Sequence, residues 1–120
     1  MTRTANELAT ESLRLLGLLE AQENASAEDA AHIIRVYRDK LAEWQFRDIA
    51  YWIEDEIPNE CFSYVCRMIA EEIAPSFGKS APMEMDENGS SVSMGVKGLR
   101  GIRRIIQRER SGLPTVGSFF

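Results

Sequence analysis

Residues 26–44 read SAEDAAHIIRVYRDKLAEW, and this stretch decides the fold. Ala30, Ile33, Ile34, Tyr37, Leu41 and Trp44 recur three and four apart, which lines them up along one face of a helix. Arg35, Arg38, Asp39 and Glu43 fall on the other face. Ser26 stands where an N-cap is needed, and Glu28 and Asp29 occupy the first turn, where the helix dipole favours negative charge. The spacing predicts an amphipathic helix with a core-facing stripe.

A second helix is expected on its N-terminal side. Thr4 and Glu7 have the T-x-x-E spacing of a capping box. Leu8, Ser12, Leu15, Leu16 and Leu19 then recur at helical spacing, with Ser12 breaking the stripe, and the helix is expected to fade near Ala21. Gly17 reads as an interior glycine kept for a close-approaching backbone. The short link Asn24-Ala25-Ser26 makes an antiparallel helical hairpin the default.

On the C-terminal side the period is lost from Asp48 to Pro58. Ile49, Tyr51, Ile53 and Ile57 there allow a short extended segment, and Pro58 holds Ile57 out of helical geometry. Asn59 is the expected N-cap of a third helix with Phe62, Val65, Cys66, Ile69 and Ile73 on one face, closed by Pro75 and Gly78. Residues 79–91, with Pro, Gly, Ser and three acids, read as a flexible acidic loop. Val92, Val96, Leu99, Ile102 and Ile106 then set a fourth helix despite Gly95, Gly98 and Gly101. Those glycines either admit another backbone or leave the helix weak until a partner orders it. Residues 111–120 read as an extended, uncharged tail ending in Phe119 and Phe120.

The expected fold class is therefore all-α, a small bundle of about four helices with an extended C-terminal tail. Residues 1–78 form a helical body, 79–91 the loop, and 92–120 a basic helix with a docking tail. The expected core holds Leu15, Leu16, Leu19, Ile33, Ile34, Tyr37, Leu41, Trp44, Ile69 and Ile73. At 120 residues, 44% hydrophobic and 28% charged, the chain suits one soluble globular domain. No run approaches the roughly 20 apolar residues of a membrane span, and no targeting segment is evident, so a cytosolic protein is expected.

Charge is spread unevenly. Residues 1–90 hold 8 Lys/Arg against 18 Asp/Glu, a net of −10, while residues 91–120 hold 6 against 1, a net of +5. An acidic body with a basic end suits a polyanion at that end or head-to-tail packing with copies of itself. The overall pI near 4.9 argues against a surface built wholly for DNA.

Little in the sequence points to catalysis. His32, the single histidine, lies beside the apolar stripe and reads as a partly buried structural residue. Cys61 and Cys66, five apart, sit about 140° around a helix from each other, cannot pair there, and read as reduced, partly buried thiols. With one histidine and two cysteines there is no zinc constellation. Glu54-Asp55-Glu56 has the chemistry to hold a divalent ion, but no second acidic motif stands at coordinating spacing and a solvated loop is the simpler reading. The three glycines of the fourth helix do not make a phosphate loop. No catalytic, cofactor or metal residue is assigned, and no cofactor is expected. The sharper feature is the row Arg100, Arg103, Arg104 and Arg108, suited to phosphates without base reading or to an acidic protein surface. Leu113, Pro114, Phe119 and Phe120 extend it with apolar docking groups.

Two blocks carry a resemblance. Leu13-Arg14-Leu15-Leu16-Gly17, a short loop, Ser26-Ala27-Glu28-Asp29 and a helix ending Leu41-x-x-Trp44 make the first; Ile57-Pro58 and a helix closing Ile73-Ala74-Pro75-Ser76-Phe77-Gly78 make the second. In this order and separation they resemble the head-to-tail adaptor (connector, or tail accessory) proteins of tailed bacteriophages. The resemblance covers residues 4–78; beyond Gly78 the chain departs from the alanine-rich helix that family members often carry. It implies a non-enzymatic virion protein, made in the host cytoplasm, that assembles as a homo-oligomeric ring of about twelve copies beneath the portal protein. Such a ring extends the DNA channel, offers a platform to a tail or stopper protein, and helps retain packaged DNA, which passes only as cargo. No membrane is involved. On this reading Arg100, Arg103, Arg104, Arg108, Leu113, Pro114, Phe119 and Phe120 meet the portal or a neighbouring subunit. The alternative is a small helical DNA-binding or regulatory module that sets the basic helix on phosphates; a third is an interaction subunit whose weak C-terminal helix folds on its partner.

Overall fold

In the computed structural model, which describes residues 1–111 with side chains through Arg108, Thr4 opens helix α1 (Ala5–Leu15). Its hydroxyl accepts from the Glu7 amide at 3.3 Å, and the Glu7 carboxylate accepts from the Thr4 amide at 3.0 Å. That backbone hydrogen bond, with Arg3 alongside, holds the Glu7 carboxyl below its ordinary value. The helix stops at Leu15 rather than near Ala21. Gly17 adopts φ +75°, its amide bonds the Arg14 carbonyl at 3.0 Å, and the Leu18 amide bonds the Leu13 carbonyl at 2.9 Å. This is a Schellman ending, and it reverses the earlier reading of Gly17: no atom lies within 4 Å of where its Cβ would be, so backbone handedness is what requires glycine. The early stop also shifts the stripe. Leu8, Leu13 and Leu16 are buried, whereas Leu15 and Leu19 are only partly so.

Helix α2 (Ala27–Phe46) begins as its sequence predicts, with the Ser26 hydroxyl accepting from the Asp29 amide at 3.2 Å. Ile33, Tyr37, Leu41 and Trp44 are buried and Ile34 is half-buried. The following segment, residues 47–56, is tied back through buried polar groups. Trp52 Nε1 donates to the Tyr37 hydroxyl at 3.1 Å, and that hydroxyl donates to the Glu54 carbonyl at 3.3 Å. Burial pushes the Tyr37 phenol up to about 12. The acidic triplet is built into the fold: Glu54 grips Arg38 with both oxygens, at 2.6 and 3.1 Å, and Asp55 accepts from the Ala5 amide at the positive end of α1.

Two short ladders modify the expected all-α class. β1 (Thr2–Arg3) pairs antiparallel with β2 (Ile57–Pro58), and the Asn59 amide continues the pattern to the Met1 carbonyl at 3.3 Å. Asn59 is therefore the first residue of α3 (Asn59–Ile73), not its cap. Extended Pro58 holds that place without a side-chain cap, and the Met1 carbonyl takes the amide of the helix's first residue. The predicted face of Phe62, Val65, Cys66, Ile69 and Ile73 is buried, joined by Cys61 and Ala70. A 3-10 turn, Ala74–Phe77, closes it with Gly78 at φ +68°.

The second ladder lies where a flexible loop was expected. β3 (Met83–Met85) and β4 (Ser91–Ser93) form an antiparallel hairpin. Asp86 organises its turn, accepting from the Asn88 and Ser90 amides at 2.9 and 2.8 Å, while Gly89 takes φ +79°. Helix α4 (Met94–Ser111) follows directly, so Val92 belongs to the strand. Ser93 Oγ accepts from the Val96 amide and the Glu71 carboxylate from the Gly95 amide, at 3.2 and 3.1 Å.

Helix α3 is the centre of the molecule, with α1, α2 and α4 all packed on it. Gly95 faces Glu71, Gly98 faces Met68 and Tyr64, and Gly101 faces the Tyr64 ring, so α4 runs antiparallel to α3. A Cβ at Gly98 would overlap the Tyr64 carbonyl oxygen. Of the two readings of the glycine row, close approach holds, and the backbone approached is the chain's own. Met94 and Ile102 complete the core. The molecule is a mostly helical bundle of four helices among the described residues, carrying two small two-stranded ladders.

Candidate functional site

With its glycine and isoleucine side committed to α3, α4 turns its basic residues outward. Arg100, Arg103, Arg104 and Arg108 are all exposed. At about 100° per residue, Arg100, Arg104 and Arg108 follow one row, while Arg103 lies on its far side. Val96 falls within this polar face, which is why it is 42% exposed where the sequence placed it in the core stripe.

The hairpin divides these arginines into two groups. Arg104 Nη2 lies 2.7 Å from Glu87 Oε1, and Arg100 Nη1 lies 3.5 Å from Asp86 Oδ2. A third pair, Arg67 Nε to Glu84 Oε1 at 2.7 Å, anchors the hairpin on α3, and both its side chains are about one-fifth exposed. Hydrogen bonds from the Ser90 and Asn88 amides, then Arg100, hold the Asp86 carboxyl below its ordinary value. Arg100 and Arg104 are more than half exposed at their side chains, so solvent screens both outer pairs and each is weak. Arg103 and Arg108, by contrast, have no ion-pair partner among the described residues. Arg103 lines an open cleft of about 270 Å³ with Arg47, Asp48, Ile49, Ile106 and Gln107, next to the end of α2.

The sequence therefore identified the arginine row but not what faces it. In the sequence alone Glu84, Asp86 and Glu87 stand as loop charges, and nothing connects Arg47 with α4. Asn88-Gly89, a hairpin-turn dipeptide, was the available signal. Leu113, Pro114, Phe119 and Phe120 lie outside the described residues.

The His32 ring packs edge-on against Phe77 with centroids 6.0 Å apart. Cys61 and Cys66 are buried in α3, and burial pushes the Cys66 thiol far up, so it stays protonated. Among the described residues, no group of three or more His, Cys, Asp or Glu side chains is placed to hold a metal ion, and no helix is long and apolar enough to cross a membrane. No family model, curated protein or solved structure matches this chain.

Proposed function

We propose that this chain is a non-enzymatic structural subunit of a tailed-bacteriophage virion, a head-to-tail adaptor that assembles as a ring below the portal. The observation that carries the reading is the opposition of charge within one subunit. Residues 1–90 carry a net of −10, and the arginine face of α4 stands exposed on that acidic body. A closed ring is built from heterologous interfaces, in which one face of each copy meets a different face of the next, and opposite charges on the two faces favour that register. Phe46, 89% exposed, and Ile53, 60% exposed, add apolar surface at the α2–α3 connection of the kind such an interface buries. The two sequence blocks within residues 4–78 supply the family. An acidic inner wall would repel DNA, so that packaged DNA slides through without being held.

The test is to mix the purified chain with portal rings of the same phage and image the product by single-particle electron microscopy. An added layer of density with the portal's rotational symmetry is the expected outcome. Bare portal rings with the chain left free would overturn the adaptor reading, and tight, salt-dependent binding of duplex DNA by that free chain would favour the DNA-binding module.

A further inference from the structure

Asp86 and Glu87, neighbours at the tip of the hairpin, reach Arg100 and Arg104, which stand one helical turn apart on α4. Asp86 divides its oxygens: Oδ1 holds the Asn88 and Ser90 amides of the turn, and Oδ2 faces Arg100. Lys97 stands one turn before Arg100, and with Tyr64 these groups enclose a small cavity of about 90 Å³. The hairpin is fixed over this spot from behind, through Glu84 on Arg67 of α3. A cationic seat is thus present, and the chain's own carboxylates occupy it.

We propose that the hairpin is an intramolecular acidic cover, which keeps the phosphate backbone of nucleic acid off Arg100 and Arg104. A phosphate approaching that seat has to displace two carboxylates and meets their repulsion, so it releases fewer counterions than two uncovered cations would. Arg103 and Arg108 stand clear of the cover, so it is partial, and the native chain retains only weak, salt-sensitive affinity for DNA. This goes beyond the ring reading, which assigns α4 to protein contacts and the hairpin to nothing. It is tested on the isolated chain, without portal rings.

The measurement is binding of a short duplex DNA by fluorescence anisotropy between 50 and 200 mM salt. Asp86→Asn with Glu87→Gln uncovers two cations, and the slope of log K against log salt is expected to steepen by about 2, so that affinity falls about fifteenfold more across that range than for the native chain. Glu87→Gln alone is expected to steepen it by about 1; the Glu87 side chain is 73% exposed and the turn's side-chain hydrogen bonds are made by Asp86, so this variant reports even where the Asp86 change loosens the hairpin. Adding Arg100→Ala and Arg104→Ala to the double variant is expected to restore the native slope. Glu20→Gln with Glu28→Gln, the same change of net charge on the α1–α2 connection and the first turn of α2, is expected to leave it native. An unchanged slope in Glu87→Gln overturns the proposal. So does an equal gain from the Glu20 and Glu28 changes, or a gain that survives loss of both arginines.

Discussion

Gly98 shows how one residue settles an argument that its sequence leaves open. A glycine inside a helix costs about 0.8–1 kcal/mol against alanine, so Gly98→Ala on a solvated helix would be stabilising. Here the Tyr64 carbonyl occupies the space a Cβ needs, and a backbone oxygen within α3 cannot swing aside as a side chain can. Overpacking outweighs propensity. Gly98→Ala is expected to lower stability by about 1–3 kcal/mol in urea unfolding, with the larger cost falling on the α3–α4 contact. A neutral or stabilising result would mean that α4 does not sit this close to α3. The spacing of Gly95, Gly98 and Gly101 was plain in the sequence, but the atom they approach belongs to a different helix. No local pattern names that atom. Gly17 misleads for the opposite reason: the helical stripe continues past it to Leu19, and only the backbone turn at φ +75° shows that the helix has already ended.

At the scale of elements, what was legible follows from length and period. Helices α2 and α3 run 20 and 15 residues with unbroken stripes; Ser26 marks the start of α2, Pro58 the start of α3 and Pro75 its end within two residues. The strands have two or three residues each, too short for alternation to register, and a lone two-stranded hairpin is marginal in water. The β3–β4 hairpin stands because Glu84 binds Arg67 and because Asp86 ties its turn. Its stability is consequently linked to pH. The Asp86 carboxyl is held below its ordinary value of 3.8, first by the Ser90 amide, so the folded hairpin binds its proton less readily than the unfolded chain does. The stabilisation is complete above 3.8 and is lost as pH falls through the lowered value. Protection of the Asn88 and Ser90 amides, taken relative to the intrinsic exchange rate at each pH, is expected to fall on acidification below about pH 4, and to be low already at neutral pH in Asp86→Asn, where the carboxylate is gone at every pH. Protection that stays constant to pH 2 would show that the Asp86 carboxylate does not hold the turn.

For the whole molecule, the question is which arginines are available to another subunit. The sequence treats Arg100, Arg103, Arg104 and Arg108 as one row, because helical spacing is all it shows. The hairpin separates them: Asp86 and Glu87 meet Arg100 and Arg104, while Arg103 faces the cleft beside Arg47 and Arg108 lies beyond the hairpin's ion pairs. Reversing Arg104 would set Glu against Glu87 and disturb the hairpin, so its effect on assembly would mix two causes. Reversing Arg103 and Arg108 avoids this, since neither side chain has an ion-pair partner among the described residues. Exposed substitutions of this kind usually move stability by no more than about 0.5 kcal/mol. Arg103→Glu with Arg108→Glu is therefore expected to keep the native helical circular dichroism and melting temperature while abolishing the added layer on portal rings. Loss of a complementary contact would be the cause, because the acidic surface that these arginines meet on a neighbour would then face like charge. Normal layers on portal rings from this variant would remove the α4 face from the subunit interface and leave the apolar surface around Phe46 and Ile53 to carry it.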